Sequence, residues 1–124
     1  MNFNISDEEV DAETHVIALG GEVDLYTAPE FKERMVKVIE EGKKRVVVDL
    51  SEATFIDSTT LGVLVGGVKR LRPSGGSLAL VCTDQNIQKI FEITGLDRVF
   101  PIHKSREEAL ASVGGASVPP GGTA

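Results

Sequence analysis

The sequence is short of several features, and each shortage excludes a class of protein. One cysteine, Cys82, among 124 residues excludes an internal disulfide and a cysteine-rich metal site. The longest apolar run, Leu61 to Val68, falls far short of the roughly 20 residues that a membrane span requires. Basic residues are outnumbered, 13 Lys and Arg against 19 Asp and Glu, and the net charge of −6 argues against a nucleic-acid-binding face. The N-terminal residues are acidic where a signal peptide would be basic and then apolar, so we expect a cytoplasmic protein.

What is present is an ordinary globular composition. Hydrophobic residues make up 41% of the chain and charged residues 26%, at a length that suits one domain. We expect that domain to occupy residues 1–113. Six of the eleven residues from 114 to 124, GGASVPPGGTA, are Gly or Pro, so we expect a flexible tail there.

The first two strands are predicted from short apolar patterns. Residues 2–6 alternate polar and apolar side chains, as in a half-buried strand, and residues 7–13 are acidic enough to predict a solvated connection. Residues 15–19 predict a second strand, ended by Gly20-Gly21. The short link favours antiparallel pairing of the two strands.

The rest of the sheet is predicted from strand and helix patterns that alternate. Residues 46–50 and 78–82 are continuous apolar runs, typical of strands covered on both faces, and the helical pattern between them predicts a parallel βαβ unit. Residues 99–102 predict a short edge strand. Helices are predicted near residues 28–41, 59–71, 84–94 and 106–113, the first opened by a Thr27/Glu30 capping box and the last by Ser105/Glu108. The predicted fold is an α/β domain with a mixed, largely parallel sheet of four or five strands and about four helices.

One segment, Ile56 to Gly62, carries more polar groups than a helix start requires. Asp57, Ser58, Thr59 and Thr60 stand together there, whereas capping alone explains one such residue. A phosphate on a hydroxyl at a helix N-terminus would meet free N–H groups and the positive end of the helix dipole. It would also add about −1.5 to −2 charges to the surface. The segment therefore indicates a phosphorylation switch.

Three motifs carry a family resemblance. They are Gly21-Glu22-Val23-Asp24, Asp49-Leu50-Ser51 running into Asp57-Ser58-Thr59, and Phe91-Glu92-Ile93-Thr94-Gly95-Leu96. With these motifs, the chain resembles the anti-sigma factor antagonists, single STAS domains of bacterial transcription control, over roughly residues 2–113.

The resemblance implies a partner switch. In that family the unphosphorylated domain binds an anti-sigma factor that is also an ATP-dependent serine kinase, which frees a sigma factor. The kinase then phosphorylates the serine that here is Ser58, the complex dissociates, and a PP2C-type phosphatase resets the protein. The implied docking surface comprises Asp24, Asp57, Thr59, Leu61 and Gly62, flanked by Thr94 and Gly95.

One position departs from the family pattern. The family usually has Gly where this chain has Thr60, whose side chain we expect on the docking surface as a second candidate acceptor hydroxyl. The resemblance further implies a protein that is not an enzyme, has no cofactor or metal, contacts neither nucleic acid nor membrane directly, and is monomeric when free.

Two other functions remain open from the sequence. The chain could be a STAS subunit of another assembly, stressosome-like or lipid-transporting, in which Ser58 is not switched. It could also be a small hydrolase that uses Ser58, although the G-x-S-x-G pattern is absent and only His15 and His103 could act as base. Asp49, near a strand end, is considered as a phospho-accepting aspartate, but no acidic pair accompanies it to hold Mg²⁺.

Overall fold

The structure, a computed structural model, describes residues 2–113 and contains one five-stranded sheet with four α-helices. The strands are β1 (Phe3–Asp11), β2 (Thr14–Val23), β3 (Arg45–Ile56), β4 (Ser77–Val81) and β5 (Ile102–His103). The helices are α1 (Ala28–Glu40), α2 (Ser58–Leu71), α3 (Gln85–Thr94) and α4 (Arg106–Val113). The strand order is β1-β2-β3-β4-β5, with β1 antiparallel to β2 and every other pair parallel. The predicted fold class is confirmed, and the tail predicted for residues 114–124 lies outside the described residues.

The sheet has two covered faces of unequal size. Alternate residues of β2, β3 and β4 face α1, α2 and α3, and the buried side chains there include Phe31, Met35, Leu64 and Phe91. The intervening strand residues face α4 and form a smaller cluster of Val16, Val47, Ala79, Val81, Ala109 and Val113. Because side chains alternate across a strand, the continuous apolar runs of β3 and β4 supply both clusters.

The solvated connection predicted for residues 7–13 is wrong for most of its length. β1 continues to Asp11, and Asp7 and Glu8 pair with Ile17 and Val16 of β2. The acidic side chains do not prevent the strand because the backbone makes the ladder and β1 is an edge strand with solvent beside it.

Gly20-Gly21 does not end β2, which continues to Val23. Gly21 has a φ of 78°, and a Cβ there would lie 2.0 Å from the carbonyl oxygen of Asn2. The glycine therefore permits a close approach of β1 to β2 instead of stopping the strand. β3 also extends beyond its prediction, from residue 50 to Ile56, and this outer half pairs with β2 only.

The edge strand predicted at residues 99–102 is displaced. Val99 follows a 3₁₀ turn at Leu96–Arg98, and β5 begins only at Ile102. Phe100, between them, is buried edge-to-face against Phe91, with 5.8 Å between the ring centroids. The apolar character of this segment reflects side-chain burial and not strand pairing.

The capping boxes are partly confirmed. The N–H of Glu108 donates to the Ser105 hydroxyl at 3.1 Å, as predicted for α4. Thr27 does not cap α1, because its hydroxyl donates to the Glu22 carbonyl at 3.1 Å and accepts from the Asp24 N–H at 2.9 Å. The loop before α1 thus uses the hydroxyl that the helix was predicted to use.

Candidate phosphorylation and docking site

Two loops leave the sheet at neighbouring positions and form the candidate site. Val23 and Ile56 are paired in the β2–β3 ladder, and each is the last residue of its strand. Asp24 and Asp57 follow directly, so both carboxylates begin at the same edge of the sheet. The parallel ladder therefore brings together two motifs that are 33 residues apart in the chain.

Asp57 caps α2. Its carboxylate accepts hydrogen bonds from the backbone N–H groups of Thr59 and Thr60 at 3.0 and 3.3 Å, and also from the Thr59 hydroxyl. The backbone of Asp57 is extended, as helix caps usually are, which lets the side chain turn back over the first helical turn. Two of the N–H groups that a phosphate at Ser58 is predicted to meet, those of Thr59 and Thr60, are therefore already bonded to this carboxylate.

The charge of Asp57 is fixed by the same contacts. Partial burial raises the pKa of its carboxyl, but hydrogen bonds to the ionised form outweigh this effect. They come from the Thr59 hydroxyl and from the backbone N–H groups of Thr60, Thr59 and Leu25, and they hold the pKa below its ordinary value of 3.8. A full negative charge therefore stands next to Ser58 at neutral pH.

Ser58 is the first residue of α2 and is exposed. The hydrogen bonds of this turn run through Asp57, Thr59 and Thr60, and none within residues 2–113 involves the Ser58 hydroxyl. The hydroxyl thus takes no part in holding the fold and is accessible to a modifying enzyme.

Asp24 organises the neighbouring loop. Its carboxylate accepts from the N–H groups of Tyr26 and Thr27 at 2.9 and 3.2 Å, and its carbonyl accepts from the N–H of Ala28 at 2.7 Å. The turn leaves Leu25 and Tyr26 exposed, with 57% and 75% of their surface accessible. Sequence reasoning missed these two residues. The available signal was two large apolar residues in a loop directly after an apolar strand.

Thr60 does not lie on the predicted surface. It is fully buried, and its hydroxyl donates to the carbonyl oxygen of Val23 at 2.8 Å. The prediction that its side chain contributes to docking or accepts phosphate is therefore wrong. Its β-branched side chain points inward at the third position of the helix and fastens α2 to the end of β2.

The other predicted docking residues divide into two groups. Gly62 is exposed and Leu61 is half-buried against the main core, one turn along α2 from Ser58. Thr94 and Gly95 lie at the far end of α3, where the Thr94 hydroxyl donates to the Ile90 carbonyl at 2.8 Å. Within residues 2–113, no hydrogen bond joins this pair to the start of α2, and their predicted part in docking stays a prediction.

Of the groups considered for other chemistry, Asp49 and His15 each lie beside a charged side chain, whereas Nδ1 and Nε2 of His15 and Nε2 of His103 form no hydrogen bond within residues 2–113. Asp49 is buried and pairs with Arg106 at 3.0 Å, and buried His15 lies 3.3 Å from Asp7 across the first two strands. Within residues 2–113, no three His, Cys, Asp or Glu side chains are grouped so that they could hold a metal ion. Over the same range, no helix is both long enough and apolar enough to cross a membrane.

Comparison with known proteins gives one consistent family. The STAS domain family model matches residues 6–109. A protein named anti-sigma-B factor antagonist from Staphylococcus epidermidis is 35% identical over 107 residues, which cover 86% of this chain and 98% of that relative. The crystal structure of an anti-sigma factor antagonist from Mycobacterium paratuberculosis has a TM-score of 0.84 at 26% identity, covering 92% of this chain and 96% of that chain.

A third comparison concerns the fold alone. The Bacillus cell fate determinant SpoIIAA in its phosphorylated form is 24% identical, has a TM-score of 0.69, and is matched over 90% of this chain and 99% of that chain. The STAS match spans most of the sequence, and the curated relatives are matched over nearly their whole length. The chain belongs to the STAS domain family, and within it to the anti-sigma factor antagonists.

Proposed function

We propose that this protein is an anti-sigma factor antagonist whose binding is switched off by phosphorylation of Ser58. In its unphosphorylated form it binds an anti-sigma factor, and the sigma factor held by that partner is released. The observation that supports this proposal is the state of Ser58, which is exposed at the start of α2 and whose hydroxyl makes no hydrogen bond within residues 2–113.

The docking surface in this proposal surrounds Ser58. It comprises Asp24, Asp57, Thr59, Leu61 and Gly62, with the exposed Leu25 and Tyr26 added from the structure. Tyrosine is one of the residue types that anchor protein interfaces, and Leu25 adds exposed apolar surface beside Tyr26. Thr94 and Gly95 remain a proposed flank, and they lie at the far end of α3.

The mechanism of release rests on charge and size. A phosphate at Ser58 adds about −1.5 to −2 charges beside Asp57, whose carboxylate is already ionised. Because the Asp57 carboxylate already accepts from the N–H groups of Thr59 and Thr60, these two groups do not bind the phosphate, which adds its bulk to the exposed surface at Ser58. A partner packed over the small hydroxyl then meets both repulsion and a steric clash.

The partners follow from the same proposal. The anti-sigma factor is an ATP-dependent serine kinase that modifies Ser58, and a PP2C-type phosphatase removes the phosphate. The protein acts in the cytoplasm as a binding module and a free monomer, and it contributes no catalytic residue, cofactor or metal of its own.

The test mixes the purified chain with the candidate serine-kinase anti-sigma factors of the same organism and ATP. Intact mass and peptide mapping then locate the phosphate. We expect a single phosphate on Ser58 and none on the Ser58→Ala variant, with Ser77→Ala, altered at an exposed hydroxyl at the opposite edge of the sheet, as the matched control. Phosphate on another residue, or no phosphate with any candidate kinase, would contradict the proposed switch at Ser58 and would favour a STAS subunit of another assembly.

A further inference from the structure

We propose that the groove between α1 and α2 receives an amphipathic helix of the anti-sigma factor that is apolar on one face and carries acidic side chains. This inference rests on the proposed function and identifies the chemistry of the partner. The groove has a volume of about 570 Å³ and runs beside the candidate phosphorylation site.

The base of the groove is shallow and is lined by apolar residues. Met35 and Val36 come from α1, and Val63, Gly66 and Gly67 come from α2. A Cβ added at Gly67 would lie 3.1 Å from the Met35 side chain, so Met35 closes the base there. A Cβ added at Gly62 or Gly66 would meet no atom within 4 Å, so the groove is open to a partner along these positions.

The charges that line the groove have one sign. Lys32 and Arg70 belong to the lining and no acidic residue does, although the whole chain carries a net charge of −6. Neither cation forms an ion pair with a carboxylate of residues 2–113, whereas Arg34, Lys43 and Arg106 are paired. Charge complementarity therefore favours acidic side chains on the occupant.

The shape of the groove suits a short helix. It extends along α2 from Thr59 to Arg70, a distance of about 16 Å at the rise of an α-helix, which is about three turns. An amphipathic helix laid in such a groove places apolar side chains three and four residues apart on its base. Glycines at the groove surface let the two backbones approach closely.

The position of the groove connects its occupant to the switch. Thr59 lines the end of the groove and is adjacent to Ser58. A phosphate on Ser58 would stand at the mouth of a groove that holds an acidic segment. Electrostatic repulsion would then act on the bound helix itself, and phosphorylation would reduce its affinity most strongly at low salt.

The test measures binding of the full chain to the anti-sigma factor that captures the wild type, by calorimetry at low and high salt. We expect Lys32→Glu and Arg70→Glu each to weaken binding at least about fivefold at low salt and less at high salt. Lys69→Glu, on the same helix but outside the groove lining, is the matched control and should change binding less than about twofold. Gly66→Leu should weaken binding at least about tenfold. Gly66→Ala is the milder version, retained in case Gly66→Leu does not fold.

The outcomes separate this inference from the proposed function. If the wild type binds an anti-sigma factor and all groove variants bind it equally well, the groove inference alone is overturned. If the wild type binds no anti-sigma factor, both the groove inference and the proposed function are overturned. A dimer of the free chain that Gly66→Leu abolishes would assign the groove to a second copy. Shifts of groove resonances on deletion of residues 114–124 would assign it to the chain's own C-terminal segment. Either result would also overturn the inference.

Discussion

The hydroxyl of Thr60 donates a 2.8 Å hydrogen bond to the carbonyl oxygen of Val23, joining the first turn of α2 to the last residue of β2. The bond is fully buried, and it ties the loop that carries Asp24 to the helix that carries Ser58. Thr60 is therefore a connection between the two halves of the site.

Replacing Thr60 by Val should therefore destabilise the protein. The substitution keeps the shape and removes the donor from a buried carbonyl, so the free energy of unfolding should fall by about 1–2 kcal/mol. Urea denaturation measures this change. Thr60→Ser keeps the hydroxyl, so its free energy of unfolding should fall by less than that of Thr60→Val. Equal stability of Thr60→Val and wild type would contradict the role assigned to the hydrogen bond.

Loss of the Asp57 cap should have a cost that depends on pH. Asp57→Ala should lower the free energy of unfolding by about 1 kcal/mol at neutral pH, because two N–H groups of α2 lose their acceptor. Asp57→Asn retains a capping oxygen and removes only the charge.

The sign of that pH dependence follows from the lowered pKa. The folded pKa of Asp57 lies below the ordinary 3.8, so its ionised form stabilises the native state above that value. The difference in stability between wild type and Asp57→Asn should be full above about pH 5 and should shrink as the pH falls through the folded pKa. Urea titrations between neutral and acid pH measure it, and a difference that grows on acidification would contradict the assignment.

Substitutions of Ser58 should separate folding from binding. Its hydroxyl is exposed, so Ser58→Ala and Ser58→Asp should each change the free energy of unfolding by less than about 0.5 kcal/mol. We expect Ser58→Ala to bind the anti-sigma factor as wild type does and Ser58→Asp to lose binding, measured by calorimetry. Similar affinities of the two variants would contradict the charge-based release, and ester hydrolysis abolished in Ser58→Ala would favour an enzyme.

Lys43 should be a larger contributor to stability than its neighbour. The Lys43 side chain is only 7% exposed. Its Nζ donates hydrogen bonds to the Glu9 carboxylate at 2.7 Å, to the Asp11 carbonyl at 2.9 Å and to the Ala12 carbonyl at 3.1 Å. Lys43→Met should lower the free energy of unfolding by about 2 kcal/mol, because charged hydrogen bonds to the β1–β2 turn are lost.

Lys44→Met is the matched control for that substitution. Lys44 is 47% exposed and its Nζ lies 3.9 Å from Glu13, so the change should be less than about 0.5 kcal/mol. Urea denaturation of the two variants side by side gives the comparison. Equal losses would show that Lys43 acts only as a surface charge.

Cys82 should be unreactive in the native protein. It is fully buried, and burial raises the pKa of its thiol. We expect an aromatic disulfide reagent to modify Cys82 at least about 100-fold more slowly in the folded protein than in urea, since reaction requires local opening and a thiolate. Comparable rates in the two conditions would mean that β4 is accessible at its end.

Elements with a strong apolar period were predictable from the sequence. α2 was predicted from the stripe that includes Leu64 and Leu71, both fully buried, and its bounds agree with the structure to one residue. The buried runs of β3 and β4 were predicted for the same reason. In these segments local pattern and tertiary packing agree.

The failures occurred where long-range contacts decide the outcome. The acidic pattern of residues 7–13 predicts a loop, but Asp7, Glu8 and Glu9 are paired with Arg34, Arg106 and Lys43 from later elements. No local pattern reveals those partners. The hydroxyl of Thr27 was likewise assigned to its own helix, whereas its acceptor, the carbonyl of Glu22, lies in the preceding strand.

The site was predicted in part. Asp57 and Ser58 were placed correctly at the start of α2, because cap residues have a local signature. The burial of Thr60 depends on β2, and the exposure of Leu25 and Tyr26 depends on a turn held by Asp24. Neither fact is available from spacing alone.

The pairing of Val23 with Ile56 has an evolutionary consequence. Backbone hydrogen bonds, together with inward-facing groups such as Thr60, set the spacing between the two loops, and the outward groups at Ser58 and Gly62 carry no share of that framework. Substitutions at these outward positions leave the framework unchanged, so the sequence can vary there without loss of the fold.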